Sequence, residues 1–316
     1  MQRVHCSFGR VFVMVSILLV GGGAVAAGPE VVRFDAADGH NLVADFYQPK
    51  DAGGTEAAPL AILLHMYRSD RSAWAPLAAK LSEAGFAVVS VDMRGHGDST
   101  TRTGKGGDER AKSKAEPSDA RERVMARDPK VFEEMQMDAE AAFDWAAKQP
   151  GIDRSRVALV GASVGCSVAL RTAASDPSVD AIVLMTPGLN YLGLDSVKDA
   201  ERLHGRAILM LATEGERNAS DTLASKLTKQ ARPVIVGPGV THGTRMFGAI
   251  DGIEDRIVDF LKREVGPAAV KPVIAARNGE KFYEPDSAGA KAISEKDKRV
   301  LSSAQEAIGR GLKAGK

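Results

Sequence analysis

Two cysteines in 316 residues are too few for a disulfide-stapled scaffold, a multi-cysteine zinc site or an iron–sulfur protein. An excess of either charge is lacking as well, with 42 Lys+Arg against 41 Asp+Glu. That balance excludes a disordered polyelectrolyte, and it excludes a whole-chain basic field of the kind that draws a protein to nucleic acid. The apolar run Val11–Val20, broken once by Ser16, is also far short of the roughly twenty residues that span a bilayer as a helix. It has another meaning. Arg3, His5 and Arg10 give a positive start, Gly21–Gly23 breaks the run, and Ala24-Val25-Ala26 supplies a small-residue cleavage site. Met1–Ala27 therefore reads as an export signal, leaving a secreted or periplasmic chain with no stable membrane insertion. Its removal takes two Arg and no acid, so 40 basic residues face 41 acidic ones. It also takes Cys6. Cys166 is then a lone thiol without an internal partner, and stability must come from the core.

Two further segments change composition. Thr100–Lys130 carries nine Lys/Arg, six Asp/Glu and no aromatic residue, which reads as a solvated insertion with room for a short helix. From Gly266-Pro267 onward the chain becomes basic, with ten Lys/Arg against six Asp/Glu over residues 267–316. That stretch reads as a small appended α+β module (266–316) behind a main domain (28–265). Within the main domain apolar runs alternate with helical patterns. Val31–Phe34 and Leu42–Tyr47 flank the hairpin signal Asp38-Gly39. Strands follow at Leu60–Leu64, Ala87–Val91, Val157–Val160, Ala181–Met185, Ile208–Ala212 and Pro233–Val236. Helices are expected near Ser72–Ala84, Phe132–Lys148, from Val164, near Asp221–Gln230 and near Gly248–Arg263. Apolar strands without alternation, separated by helices, predict an α/β fold: a mostly parallel sheet of about eight strands, covered on both faces.

Gly161-Ala162-Ser163-Val164-Gly165 fits G-x-S-x-G and sits where the strand Val157–Val160 turns into the helix at Val164. Such a turn needs small neighbours, and it aims the serine oxygen at unpaired helix N–H groups. Together with Leu63-Leu64-His65-Met66-Tyr67, Val91-Asp92-Met93-Arg94-Gly95-His96-Gly97-Asp98-Ser99 and Thr241-His242-Gly243-Thr244, the chain over about Val31–Glu264 resembles the α/β-hydrolase fold. The likeness is to the dienelactone-hydrolase-like esterase branch. The resemblance implies a serine esterase whose triad runs nucleophile, acid, histidine along the chain. Ser163 is then the nucleophile. Only His204 and His242 follow it; His204 comes too early, so His242 is the base and then the acid. The carboxylate is expected among Glu214, Glu216 and Asp221. Glu216 falls at the family's usual position, Glu214 is the alternative, and Asp221 is read as a cap of the following helix.

The resemblance places the oxyanion hole at the backbone N–H groups of Val164 and Tyr67, with Met66 standing where the family has glycine. Tyr67, Tyr191, Met246 and Phe247 are candidates either for the wall of an acyl pocket or for the core, His96 is read as ordering its own loop, and Cys166 as a buried core thiol. The short stretch Gly188–Gly205 leaves no room for a large lid, which points to small-molecule esters of short to medium acyl chain. In the tail, Glu280–Ser287 and Ala290–Ile293 weakly resemble a metal-binding domain of DNA alkylation-repair proteins. Ser287 stands where that domain has a cysteine ligand, and no Cys follows, so neither metal nor cofactor is expected. The opposing reading is a catalytically silent hydrolase-fold protein whose tail binds a partner at the envelope.

Overall fold

The computed structural model describes residues 28–50, 57–103, 115–203, 206–227, 233–266, 273–285, 287–301, 307 and 312–315. The stretch Met1–Ala27 that reads as an export signal, His204 and the linker read after Gly266 lie outside the described residues. The chain opens with a hairpin of β1 (Glu30–Asp35) and β2 (His40–Tyr47), turned by Gly39 at φ 86°. Next come β3 (Ala58–Leu64), α1 (Ala75–Glu83), β4 (Ala87–Asp92), β5 (Thr101–Thr103), β6 (Ala115–Pro117), α2 (Ala120–Met125) and α3 (Pro129–Ala146). The second half holds β7 (Ile152–Ala162), α4 (Val164–Ser175), β8 (Val179–Met185), the ribbon β9 (Asn190–Tyr191) and β10 (Leu194–Asp195), α5 (Ser196–Ala200), β11 (Ala207–Ala212), α6 (Arg217–Lys226), β12 (Pro233–Ile235) and α7 (Ile253–Val265).

Ten strands form one sheet in the order β12-β11-β8-β7-β3-β4-β2-β5-β6, with β1 paired to β2. From β12 to β4 neighbours are parallel; β2 and the strands beyond it are antiparallel. Why the central strands show no alternation is clear from β3. Leu60, Ile62 and Leu64 face one core with Phe132 of α3 and Val168 of α4, while Ala61 and Leu63 face another with Leu77 of α1 and Phe260 of α7. Both faces are dry, so both need apolar residues.

The segment Thr100–Lys130 departs from the sequence reading of a solvated insertion. Its described parts add the hairpin β5–β6 to the sheet edge, then α2, then the start of α3. Three half-exposed strand residues, Thr101–Thr103, carry no apolar signal that a sequence could betray. Helix α3 begins at Pro129 rather than Phe132, because the Asp128 side chain accepts from the Lys130 N–H and proline suits the first turn. Helix α7 begins later than expected, since Gly248 and Gly252 are both left-handed (φ 74° and 75°).

Behind α7 a separate four-stranded sheet contains β13 (Val273–Ala276), β14 (Lys281–Tyr283), β15 (Lys298–Leu301) and β16 (Lys313–Ala314), with α8 (Ala288–Lys291) after β14. Its small core is Val273, Ala275, Phe282, Leu301 and Ala307. Ser287 caps α8, accepting from the Ala290 N–H at 3.1 Å and donating to Glu284 O at 2.7 Å. No helix among the described residues is long and apolar enough to cross a membrane.

Candidate active site

Strand register brings the chemistry together. Leu64 of β3 aligns with Gly161 of β7, Ala162 with Met185 of β8, and Met185 with Leu211 of β11. The residues just past these carboxyl ends are His65, Ser163, Thr186 and Thr213, along one rim of the sheet. This rim is where open α/β sheets place ligands.

Ser163 sits at φ 55°, ψ −119°, a left-handed strained position for a residue with a Cβ, between β7 and α4. The two motif glycines make that turn possible. A Cβ on Gly161 would lie 2.3 Å from Gly165 O, and one on Gly165 would lie 2.2 Å from Leu64 O. Backbone therefore packs on backbone, and α4 starts directly against the end of β3. The Val164 N–H, in the first turn of α4, and the Tyr67 N–H, in the turn after β3, donate to no backbone oxygen among the described residues. Met66, where the resemblance expects glycine, has its side chain against Gly243. A Cβ on Gly243 (φ 58°) would meet Met66 Sδ at 3.0 Å, so the bulk gained at one position is matched by glycine at the other.

His242 and Glu216 meet directly. His242 Nδ1 and Glu216 Oε1 form a hydrogen bond, in which the imidazole N–H donates to the carboxylate. Two buried threonines hold this pair in place. Thr213 Oγ1 accepts from the Thr241 N–H (3.2 Å) and donates to Glu216 Oε2 (3.5 Å). Thr186 Oγ1 accepts from the Gly243 N–H (2.9 Å) and donates to Met185 O (2.8 Å), the carbonyl that also accepts from Ser163 N (3.0 Å). The Glu214 N–H donates to Gly237 O and the Gly215 N–H to Gly239 O, joining the carboxylate turn to the histidine loop. Neither threonine was singled out in the sequence; position at a strand's carboxyl end was the available signal.

The other two acids lie elsewhere. Glu214 is exposed and reaches Arg217 at 3.5 Å. Asp221 does not cap the helix after β11. Helix α6 already begins at Arg217, and Asp221 pairs with that arginine from inside it at 3.0 Å. Of the expected pocket walls, Tyr67 and Tyr191 stand at the site. Tyr67 packs edge-on to His96 and Phe132, and Tyr191 lies edge-on to His242, 6.2 Å between centroids. Met246 and Phe247 take the core alternative: Met246 is fully buried in the second core, and the partly buried Phe247 packs against it, meeting Trp74 at 5.7 Å. Both residues are apolar and near His242, which made core and pocket indistinguishable by sequence.

Behind Tyr67 lies a buried polar scaffold. His65 donates from Nδ1 to Met66 O (2.8 Å) and accepts at Nε2 from the Met93 N–H (3.0 Å). Burial, with His96 adjacent, pushes its pKa down to about 3, so it stays neutral. His96 orders its loop as expected: Nδ1 lies 3.1 Å from Arg94 O and its ring 4.8 Å from that of His65. Arg94 is gripped by Asp138 through Nε (2.9 Å), Nη2 (2.7 Å) and its own backbone N–H (2.8 Å). Cys166 is buried with Gly161 O and Met185 O each 3.2 Å from its Sγ as acceptors for the one S–H, and burial raises its pKa strongly, so it is no thiolate nucleophile. Among the described residues no group of three or more His, Cys, Asp or Glu could hold a metal ion.

Residues 61–228, just over half of the chain, match the alpha/beta hydrolase fold family, and the chain belongs to that family. An uncharacterized protein of Mycobacterium tuberculosis is 27% identical over 236 residues, covering 68% of this chain and 73% of that protein. Among solved structures, dienelactone hydrolase from Anabaena variabilis is similar at TM-score 0.54 and 19% identity, covering 76% of this chain and all of that one. Acetyl xylan esterase from Paenibacillus sp. is similar at TM-score 0.57 and 17% identity, covering 74% and 83%.

Proposed function

We propose that the chain is an exported serine hydrolase that cleaves carboxylic esters of small molecules, with short to medium acyl chains, through Ser163, His242 and Glu216. The observation that carries this reading is the His242–Glu216 hydrogen bond on the rim where Ser163 occupies its strained turn. Glu216 fixes the imidazole with its proton on Nδ1, leaving Nε2 free to take the Ser163 proton. The serine oxygen attacks the ester carbonyl. The N–H groups of Val164 and Tyr67 then receive the developing oxyanion, each worth roughly 2.7–4 kcal/mol in the transition state. His242 returns the proton to the departing alcohol, and water repeats the sequence on the acyl-enzyme. Ester and lactone hydrolases among the structural neighbours support the substrate class, the short β8–α5 connection supports a modest acyl group, and the Met1–Ala27 pattern supports export.

Turnover of p-nitrophenyl acetate and butyrate tests the reading. Wild-type protein hydrolyses them, and Ser163→Ala or His242→Ala lowers kcat on the order of 10⁶-fold if the triad acts as a unit. A wild type with no ester turnover, or a loss of only severalfold, sends the argument back to a silent hydrolase fold.

A further inference from the structure

Thr186 stands where its backbone least suits it. It follows Met185, the last residue of β8, at φ 52°. Among the described residues, five that are not glycine have positive φ: Arg68, Arg127, Ser163, Leu192 and Thr186. Arg68 and Arg127 are exposed, and Leu192 turns the ribbon β9–β10. Thr186 alone of the five is β-branched, and it is fully buried. For a branched Cβ the left-handed region is a true outlier, whereas glycine takes it without steric cost. Every polar group of the residue is nonetheless committed. Its N–H donates to Leu211 O of β11 at 2.8 Å, and its carbonyl accepts more loosely from the Tyr191 hydroxyl at 3.4 Å. Its Oγ1 donates to Met185 O (2.8 Å) and accepts from the Gly243 N–H (2.9 Å). Met185 O also accepts from the Ser163 N–H at 3.0 Å. One carbonyl thus carries the turn of the nucleophile and, through the threonine hydroxyl, the peptide that follows His242. Gly243 is buried, and a Cβ on it would lie 3.4 Å from Cβ of Ala162, the residue before Ser163.

We propose that Thr186 is a positioning residue of the serine hydrolase: its hydroxyl sets the His242 loop against the Ser163 turn, and a strained backbone is kept for the sake of that hydroxyl. The inference rests on the triad reading above. Thr186 touches no reacting atom. The proton still passes between Ser163 Oγ and His242 Nε2, and Thr186 acts on the distance and direction of that transfer. The two ends of the transfer sit on separate loops, one after β7 and one after β12. Glu216 and Thr213 tie the histidine loop to the end of β11. Thr186 ties the same loop to the carbonyl from which the nucleophile's own N–H hangs. A misplacement of about 1 Å is enough to lower a rate about 10²-fold. Acylation and deacylation both use this transfer, so both slow when the bridge is cut, while ester binding is left alone.

Thr186→Val keeps the branched shape and removes the hydroxyl, whereas Thr186→Ser keeps the hydroxyl and removes a methyl. With p-nitrophenyl acetate, Thr186→Val is expected to lower kcat about ten- to hundredfold with KM within about threefold of wild type, and to slow fluorophosphonate labelling of Ser163 by a similar factor. Thr186→Ser is expected to stay within about fivefold of wild type in both measurements. Thr186→Ala, which lacks the branch that strains this backbone, takes the place of Thr186→Val if near-ultraviolet circular dichroism shows that the valine variant does not fold. In an active wild type, three results overturn the role of Thr186 alone: a kcat for the hydroxyl-free variant within about twofold, an equal loss in Thr186→Ser, or a raised KM at unchanged kcat. A wild type that neither turns over ester nor takes the label overturns the triad reading and the Thr186 role together.

Discussion

On one side of Ser163 the histidines are sealed away; on the other the histidine stays partly wet. His65 is fully buried, both ring nitrogens are committed to backbone groups, and Arg94 below it is clamped by a buried carboxylate. His242 and Glu216 keep 28% and 18% of their side-chain surface exposed, and hydroxyls rather than charges hold their loop. The two walls thus do different physical work. In the proposed mechanism the Tyr67 wall holds backbone N–H donors still while charge appears in front of them, and burial keeps His65 behind it neutral with both ring nitrogens paired. In the same mechanism the His242 wall passes a proton, which asks for one ring nitrogen fixed and the other free.

This contrast is open to direct attack. The largest expected effect separates two neighbouring glutamates on the mobile-proton wall. Glu216→Gln removes the charge that orients His242 and should lower kcat on the order of 10⁴-fold. Glu214→Gln, at an exposed residue paired with Arg217, should leave kcat within about twofold. The reverse ranking would reassign the carboxylate. A smaller effect sharpens the sealed wall. His65 titrates near 3 in the folded chain and near 6.5 when unfolded, so between those values the unfolded chain binds more protons. Its neutrality supports the fold fully above about pH 6.5, and stability falls as pH drops toward 3. The slope is about 1.4 kcal/mol per pH unit for this one group. Urea unfolding between pH 4 and 7 should show that slope lessened by about one proton in His65→Gln. An unchanged slope would mean that His65 is not the buried neutral group described.

The central chemistry was legible because it is local or ordered along the chain. G-x-S-x-G encodes its own close backbone contacts; the order serine, acid, histidine left Glu214, Glu216 and Asp221 open beside His242, the resemblance favoured Glu216, and the structure brings Glu216 and His242 together. The parallel core was legible because strands such as β3 are apolar on both faces. What escaped depends on distant partners. Thr186 and Thr213 reach the histidine loop across 57 and 28 positions, and nothing near either threonine announces that contact. The edge strand β5 is built from polar, half-exposed residues that look like loop. Met246 and Phe247 carry the apolarity of a pocket wall while packing in the core.

The claim that Ser163 is an activated nucleophile is tested most directly by mapping a fluorophosphonate adduct by mass spectrometry. One equivalent of phosphonyl group on the peptide containing Ser163, absent after Ser163→Ala and strongly slowed by His242→Ala, is the predicted result. No adduct on the wild type, or an adduct on another residue that persists in Ser163→Ala, would contradict it.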